Sequence, residues 1–361
     1  MAAVTPGAAL LPAGLADWLD AHAETLDTDT ALASEVVPRL AGAGLFGIGV
    51  PARYGGSGGT VADAIAAIAA VAERSLTAAF VFWGQRAFIE FLLQGDNQAL
   101  RARWTADLVA GGRAGATGLS NAMKFLSGIE SLRIAATRAD DGWRIDGGIA
   151  WITNLRKEGF MAAAAADMPD GAPPAVIAFT DDAPGVVRSP DLDLLALRGS
   201  NTASVTLSGV RIGEAAIVAA DAHAWLPAVR PAFLGMQCGL SIGLARAALG
   251  AAQALSGRMA GPLPPRIEAA RVALEGQEAT LAEGVLDGRF ASNAPDLFRL
   301  RIALAASVQQ AVMLELQASG GKAYLRQHDG FARRWREAAF IPIVTPSLTQ
   351  LQAALDKLDA R

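Results

Sequence analysis

The chain has 361 residues, of which 52% are apolar and 18% charged, and its formal net charge is −4. At about 100–200 residues per domain this length allows two or three domains, and the apolar content excludes a mainly disordered chain. The acidic balance argues against a nucleic-acid-binding or anionic-membrane surface. The single cysteine, Cys238, excludes an internal disulfide, and three widely separated histidines show no metal-ligand spacing. We expect a helix-rich protein without a metal centre.

Membrane insertion and secretion are not expected either. The longest apolar runs, Ala79–Gln85 and Pro231–Ala245, are bounded by arginines and fall short of the roughly 20 residues that a spanning helix needs. The N-terminus shows no basic segment followed by an apolar one, as a secretory signal would. The expected location is therefore the cytoplasm.

The first region, residues 1–113, has the apolar spacing of helices. The segments that begin at Thr30 and Val61 are rich in alanine, and their larger apolar residues recur at three- and four-residue steps. A glycine-rich loop, Val50–Gly59, separates them. These patterns predict an N-terminal helical domain.

The second region, residues 114–215, consists of short alternating runs such as Leu132–Thr137, Ala175–Thr180 and Ser204–Ile212. Asp-Gly and Pro-Gly turns lie between the runs, which predicts a middle antiparallel β domain.

The helical period returns in the third region, residues 216–361, which predicts a C-terminal four-helix bundle. The predicted fold class is therefore α+β, mostly α, in the order helical domain, β domain, helical bundle. The predicted helices of the bundle are Gly235–Leu255, Pro265–Leu286, Leu297–Ser319 and Pro346–Leu358.

Several short motifs match known fingerprints without the required context. Gly42–Gly47 matches the dinucleotide fingerprint, but a helix precedes it where a strand is needed. Gly239–Gly243 matches the nucleophile elbow of serine hydrolases, but it lies inside a helical pattern. We interpret the first as a helix end with a tight turn and the second as close helix packing. His328 beside Asp329, and the basic run Arg333–Arg336, are interpreted as solvated positions.

Four segments carry a family resemblance: Gly44–Gly58, Asp141–Asn154, Leu197–Thr202 with Val205–Ile212, and Leu316–Tyr324 with Trp335–Ala338. In their order and spacing they resemble the acyl-CoA dehydrogenase family, whose flavoprotein fold is shared with flavin-dependent monooxygenases. The likeness extends over almost the whole chain and implies the same three-domain order. The last segment is similar to the family's Gln-x-x-Gly-Gly helix and Arg-Asp-Ala turn.

This resemblance implies a bound flavin, FAD or alternatively FMN, at the seam between the β domain and the C-terminal helices. Trp151 would cover the apolar face of the flavin ring, while Thr153 would reach its polar edge. Ser120 is the only close match to the family's flavin-contacting Thr-Glu-Pro-x-x-Gly-Ser-Asp segment.

The resemblance also implies a homodimer or homotetramer that acts on a small molecule such as an acyl-CoA. Gly320 and Gly321 would let the backbone approach a pyrophosphate, with Gln317 hydrogen-bonding nearby. In the family this helix comes from a neighbouring subunit, as does an arginine that Arg258 matches weakly.

The residue that removes the substrate proton in most family members is absent here. Aligned from Arg336, the family's Glu-Gly-Thr word reads Thr345-Pro-Ser347, so threonine occupies the base position. A threonine hydroxyl without a partner is not a useful base. The alternative base position falls near Phe233, and no acidic residue lies between Asp221 and Glu268.

Three hypotheses about function remain open. The first is a flavin-dependent oxidoreductase that acts on the CH–CH group of an acyl thioester or similar substrate, with a base that is not recognised. The second is a flavin-dependent monooxygenase on the same scaffold, which needs no glutamate base. The third is a non-catalytic half-site subunit of a heteromeric dehydrogenase.

Overall fold

The computed structural model describes residues 11–126, 128–256, 261–325 and 330–359. The N-terminal region is helical, as predicted. Every side chain from Leu76 to Leu92 is buried, so α4 forms the centre of this region. Thr60 and Asp63 form a capping box that starts α3, with Thr60 N–H donating to Asp63 Oδ2 at 2.7 Å. The helices are α1 (Ala13–Thr28), α2 (Ala33–Gly42), α3 (Val61–Ala72), α4 (Leu76–Gln94) and α5 (Gln98–Val109).

Eight strands of the described chain form two four-stranded sheets, ordered β1-β4-β5-β8 and β2-β3-β7-β6. The described pairs are antiparallel except β1–β4, which is parallel. β4 is alanine-rich and buried along its whole length, which is why it lacks an alternating pattern. These elements are β1 (Ala114–Thr117), α6 (Ser120–Leu126), β2 (Ile134–Ala139), β3 (Gly142–Ile152), β4 (Phe160–Ala166), β5 (Ala175–Thr180), β6 (Val186–Arg188), β7 (Ala203–Ile212) and β8 (Ile217–Ala219).

The C-terminal region is helical, and the predicted fold class is confirmed. In the centre of the bundle, α10 packs against α7, α8 and α12. α7 begins thirteen residues before the predicted Gly235 and continues through Pro227 and Pro231. The helices are α7 (Ala222–Ser256), α8 (Leu263–Leu286), α9 (Arg289–Ser292), α10 (Ala294–Ser319), α11 (Phe331–Phe340) and α12 (Leu348–Asp359).

The expectation of a turn at Trp335–Ala338 is wrong, because these residues lie inside α11. The basic run Arg333–Arg336 is also less solvated than expected, since Arg333 and Arg334 are buried. Arg333 pairs with the fully buried Glu337 four residues later, at 2.8 Å, on the inner face of the helix. Buried charges need such partners, and this pairing stabilises the helix.

The two rejected glycine motifs have the structures that we expected. α2 ends at Gly42 and a short 3₁₀ turn follows at Leu45–Gly47. Gly239 and Gly243 lie in α7, where it crosses α3. A Cβ atom at Gly239 would come within 2.9 Å of a backbone oxygen of α3, and one at Gly243 would be closer still. His328 and Asp329 lie outside the described residues.

Three described segments are long and apolar enough to cross a membrane by length and composition, which differs from the expectation drawn from the apolar runs. They are Leu76–Gln94, Ala222–Ser256 and Ala294–Tyr324. In the most apolar window of the first two, 94% and 89% of the residues are buried inside the protein, whereas the third is 50% buried. The apolar faces of α4 and α7 therefore form the protein core.

Candidate functional site

The end of β3 presents a large aromatic side chain on the surface. The indole of Trp151 is 61% exposed, whereas its neighbour Ile152 is buried. Alternation along the strand accounts for this difference, since successive side chains point to opposite faces. Exposed tryptophan is uncommon, and this ring offers a flat apolar surface to a ligand.

Immediately after Trp151, a row of three buried hydroxyl groups crosses from β3 to the segment before β7. The Oγ1 atoms of Thr153 and Thr202 are 2.9 Å apart, and Thr202 Oγ1 lies 2.7 Å from Ser200 Oγ. Each hydroxyl has one proton and two lone pairs, so Thr153 retains hydrogen-bonding capacity beyond its bond to Thr202. The buried Oγ1 atom of Thr153 can therefore form a further hydrogen bond to a ligand.

Asn154 holds the end of this strand against the N-terminal helices. Its backbone is left-handed, with φ of 64°, and its N–H donates to Ser200 O at 3.0 Å. Its side-chain Nδ2 donates to Gln85 Oε1 and to Gly115 O, each at 2.9 Å, while Oδ1 is buried without a partner. The sequence analysis did not single out Gln85; the available signal was an amide side chain within the apolar part of α4.

Ser120 follows a loop that packs on β3. A Cβ atom at Gly118, in this loop, would lie 3.0 Å from Ile149 and 3.4 Å from Ile152. Ser120 begins α6 and is half-buried. α6 in turn contacts the start of α7, where the ring centroids of Phe125 and His223 are 5.4 Å apart.

Gln317, Gly320 and Gly321 form a separate group at the C-terminal end of α10. Gln317 is exposed, and its Oε1 accepts a hydrogen bond of 2.9 Å from Arg266. A Cβ atom built on either glycine would meet nothing within 4 Å, so the backbone here is accessible. Within the described part of one chain, no hydrogen bond links this group to the end of β3. Arg258 lies outside the described residues.

Thr345, the predicted base position, lies between α11 and α12 and is half-buried. Its carbonyl oxygen accepts a hydrogen bond of 2.9 Å from Gln237 Nε2. Gln237 Oε1 accepts in turn from Arg301 Nε at 3.2 Å, and Arg301 Nη2 donates to Ile341 O at 2.8 Å. A guanidinium group, rather than a carboxylate, is therefore the charge tied to this position.

Arg301 is the group here that the sequence analysis missed. It is fully buried, and desolvation lowers the pKa of its guanidinium. Nη1 has no hydrogen-bond partner, and no described carboxylate pairs with the side chain. The available signal was an arginine on the apolar face of the helix predicted at Leu297–Ser319.

These positions suit a flavin better than a metal. The exposed Trp151, the buried Thr153 and the open backbone at Gly320 and Gly321 have the properties needed to contact a flat ring and a phosphate-bearing tail. Across the residues that the structure describes, no three His, Cys, Asp or Glu side chains cluster in a way that could hold a metal ion.

The sequence is similar to those of known acyl-CoA dehydrogenases. Residues 15–112 match the family profile described as acyl-CoA dehydrogenase, N-terminal domain. A probable acyl-CoA dehydrogenase, fadE25, of Mycobacterium leprae is 28% identical over 239 residues, which are 64% of this chain and 60% of that protein. The fadE25 protein of Mycobacterium bovis is 25% identical over 327 residues, covering 84% of this chain and 82% of the relative.

Solved structures share the fold over nearly the whole chain. Glutaryl-coenzyme A dehydrogenase, in complex with glutaryl-CoA, has a TM-score of 0.80 at 18% identity and covers 100% of this chain and 98% of its own. KijD3, in complex with FMN and a dTDP-sugar, has a TM-score of 0.83 at 20% identity, with coverages of 99% and 95%. Dibenzothiophene monooxygenase TdsC from Paenibacillus sp. A11-2 has a TM-score of 0.74 at 18% identity, with coverages of 96% and 98%.

Proposed function

This chain is related in sequence to the acyl-CoA dehydrogenases, a family of flavin-dependent oxidoreductases, and has their fold; on that premise we propose that it oxidises the CH–CH group of an acyl thioester or a similar small molecule with bound FAD. The observation that carries the proposal is the pairing of an exposed Trp151 with a buried Thr153 at the end of β3. A bound flavin supplies the electron acceptor for the oxidation.

The chain's own residues would position that cofactor. Trp151 offers its indole face to the ring, and the remaining hydrogen-bonding position of Thr153 serves the polar edge. Asn154, clamped to Gln85 at 2.9 Å, holds both side chains at a fixed distance from α4. Because this strand end is already held in place, little conformational entropy is lost when it orients a bound ring.

We propose further that the active form is a homodimer or homotetramer. Gln317, Gly320 and Gly321 are exposed at the C-terminal end of α10, and no described hydrogen bond links them to the end of β3. A second copy could bring this group to the flavin, where the accessible glycine backbone suits a pyrophosphate. The proposal of FAD over FMN depends on this contact.

A second candidate, a flavin-dependent monooxygenase, is favoured by the surroundings of Thr345. No described carboxylate bonds to Thr345, Gln237 or Arg301, so nothing there can take up a substrate proton in the usual way. A monooxygenase needs no carboxylate base, and TdsC shows that the fold accommodates such an activity in another protein.

The deciding experiment measures flavin binding first and chemistry second. The purified chain is titrated with FAD and passed over gel filtration, and retained flavin absorbance is the expected result. The complex is then mixed anaerobically with saturated acyl-CoAs, where bleaching supports the dehydrogenase. Absence of bleaching, combined with substrate-dependent oxygen consumption when a reductase supplies electrons, supports the monooxygenase. No measurable affinity at high micromolar FAD would overturn both.

A further inference from the structure

The seam between α7 and α10 contains two arginines that no described carboxylate neutralises. Arg301 is fully buried on α10, with Nη1 unpartnered. Arg230 is half-buried on α7, and its guanidinium carbon lies 5.5 Å from the ring centroid of Phe298. No described residue forms an ion pair with either arginine.

The two arginines occupy one seam. Arg230 and Gln237 are seven residues apart, so they share a face of α7 and are separated by about 10 Å along its axis. On the facing helix, Phe298 and Arg301 are three residues apart and therefore adjacent. The contacts Arg230–Phe298 and Gln237–Arg301 follow each other along the same line.

The two helices that carry these arginines, and the segment 341–347, do not supply the missing negative charge. α7 contains no acidic residue, and neither does the segment 341–347. On α10, Asp296 pairs with Arg299, and Glu315 pairs with Arg334. Cys238 is a titratable neighbour of Arg301, and burial raises the pKa of its thiol to about 12, so that it stays neutral.

An uncompensated buried guanidinium is costly, and a buried polar atom without a partner requires a physical explanation. Gln237 bonds to both Arg301 and the carbonyl of Thr345. The unpaired charge of Arg301 therefore lies one side chain away from the expected base position. Resting on the oxidoreductase function proposed above, we propose that the α7–α10 seam is a carboxylate-binding site and that the substrate carries a carboxylate, which Arg230 and Arg301 bind. Guanidinium groups match carboxylates in geometry as well as in charge.

The experiment uses the full chain as purified and acetate as the probe. Melting temperature is measured in sodium acetate, and in acetamide with sodium chloride at the same sodium concentration. Acetamide has the shape of acetate without its charge. We expect acetate to raise the melting temperature of the wild type by a few degrees, because a ligand that binds only the native state stabilises it. No difference between acetate and acetamide would overturn the proposal.

Variants locate the effect. R301M should abolish the acetate response, and R230Q should weaken acetate binding at least tenfold. The control is R246M, which removes an arginine of α7 that is already paired with Glu278, and it should keep the response. If R301M does not fold, an undiminished response in R230Q refutes the site. An equal rise in sodium chloride refutes the carboxylate assignment in favour of small anions in general.

The acetate response is read without flavin reduction, so it separates the two proposals. A chain that responds to acetate but does not bind FAD retains the anion site and contradicts the oxidoreductase function. A chain that binds FAD but ignores acetate contradicts the carboxylate-bearing substrate alone.

Discussion

Arg336 donates a hydrogen bond of 2.7 Å from Nε to the fully buried carboxylate of Asp27, so that α11 is joined to α1 across 309 positions of the chain. Asp27 also accepts a hydrogen bond of 2.9 Å from the backbone N–H of Leu197, which lies just before β7. One carboxylate thus connects the N-terminal helices, the β domain and the C-terminal helices. This contact stabilises the arrangement around the candidate site without belonging to it.

The first prediction concerns the pH dependence of this contact. Burial raises the pKa of Asp27 above its ordinary value, against the opposing effects of Leu197 and Arg336. A carboxyl group with a raised native pKa stabilises the fold at low pH, and this contribution is lost as pH rises through the native pKa. D27N should therefore destabilise the protein more at pH 4 than at pH 7, as measured by urea unfolding. A larger effect at pH 7 would contradict the prediction. D20N removes an exposed partner of Arg74 and should change stability by less than about 0.5 kcal/mol.

The second prediction concerns the amide clamp. Q85L removes the acceptor of the Gly115 N–H and one of the two acceptors of Asn154 Nδ2, and leaves one N–H of each group buried without a partner. We expect a loss of roughly 2–4 kcal/mol in unfolding free energy, because each unsatisfied buried donor costs about 1–3 kcal/mol. FAD affinity should fall as well, since the strand end that carries Trp151 loses its support. The control Q94L affects an exposed amide bonded to Glu90 and should leave FAD binding unchanged.

The third prediction tests the flavin contact directly. W151A should lower FAD affinity at least tenfold, as measured by quenching of flavin fluorescence, because the exposed ring would lose its cover. Melting temperature should change little, since Trp151 is 61% exposed. Trp335 is 48% exposed on α11, which makes W335A a matched control for the loss of a surface indole. Equal FAD affinities in the two variants would argue against the site.

The fourth prediction concerns the subunit contact. A side chain at Gly321 meets open space within one chain, so G321W should fold normally. If a second copy covers this backbone, the variant should be monomeric by light scattering and should bind FAD weakly. G14W adds the same side chain at another open position and should remain oligomeric. A stable wild-type monomer at micromolar concentration would contradict the proposal at once.

The fifth prediction concerns the missing base. Wild-type protein should reduce its flavin slowly or not at all with simple saturated acyl-CoAs, since loss of a general base costs about 10²–10⁴-fold in rate. T345E should accelerate bleaching, because it places a carboxylate at the position tied to Gln237 and Arg301. The control T349E changes an exposed threonine two residues after Ser347 and should have no effect. Rapid bleaching by the wild type would show that another base exists.

The sequence by itself determined the domain order and the elements with strong periodicity. The alanine-rich spacing of the N-terminal region and of Leu297–Ser319 predicted helices, because local propensity and apolar period agree there. The motif Trp151–Asn154 indicated the end of β3, where the structure exposes Trp151. These patterns depend on residues that are close in sequence, so they can be recognised without knowing how the chain packs.

Tertiary structure decided what depends on distant partners. Arg333 and Glu337 are buried together on α11, although the charged run was interpreted from the sequence as solvated. Gln85 and Asn154 are 69 positions apart, and the resemblance gave no reason to pair them. The charge of Arg301 became informative only when α7, α10 and the segment 341–347 were seen to enclose it without a carboxylate. Sequence indicates which groups a chain carries, whereas packing decides which of them are desolvated and left unpaired.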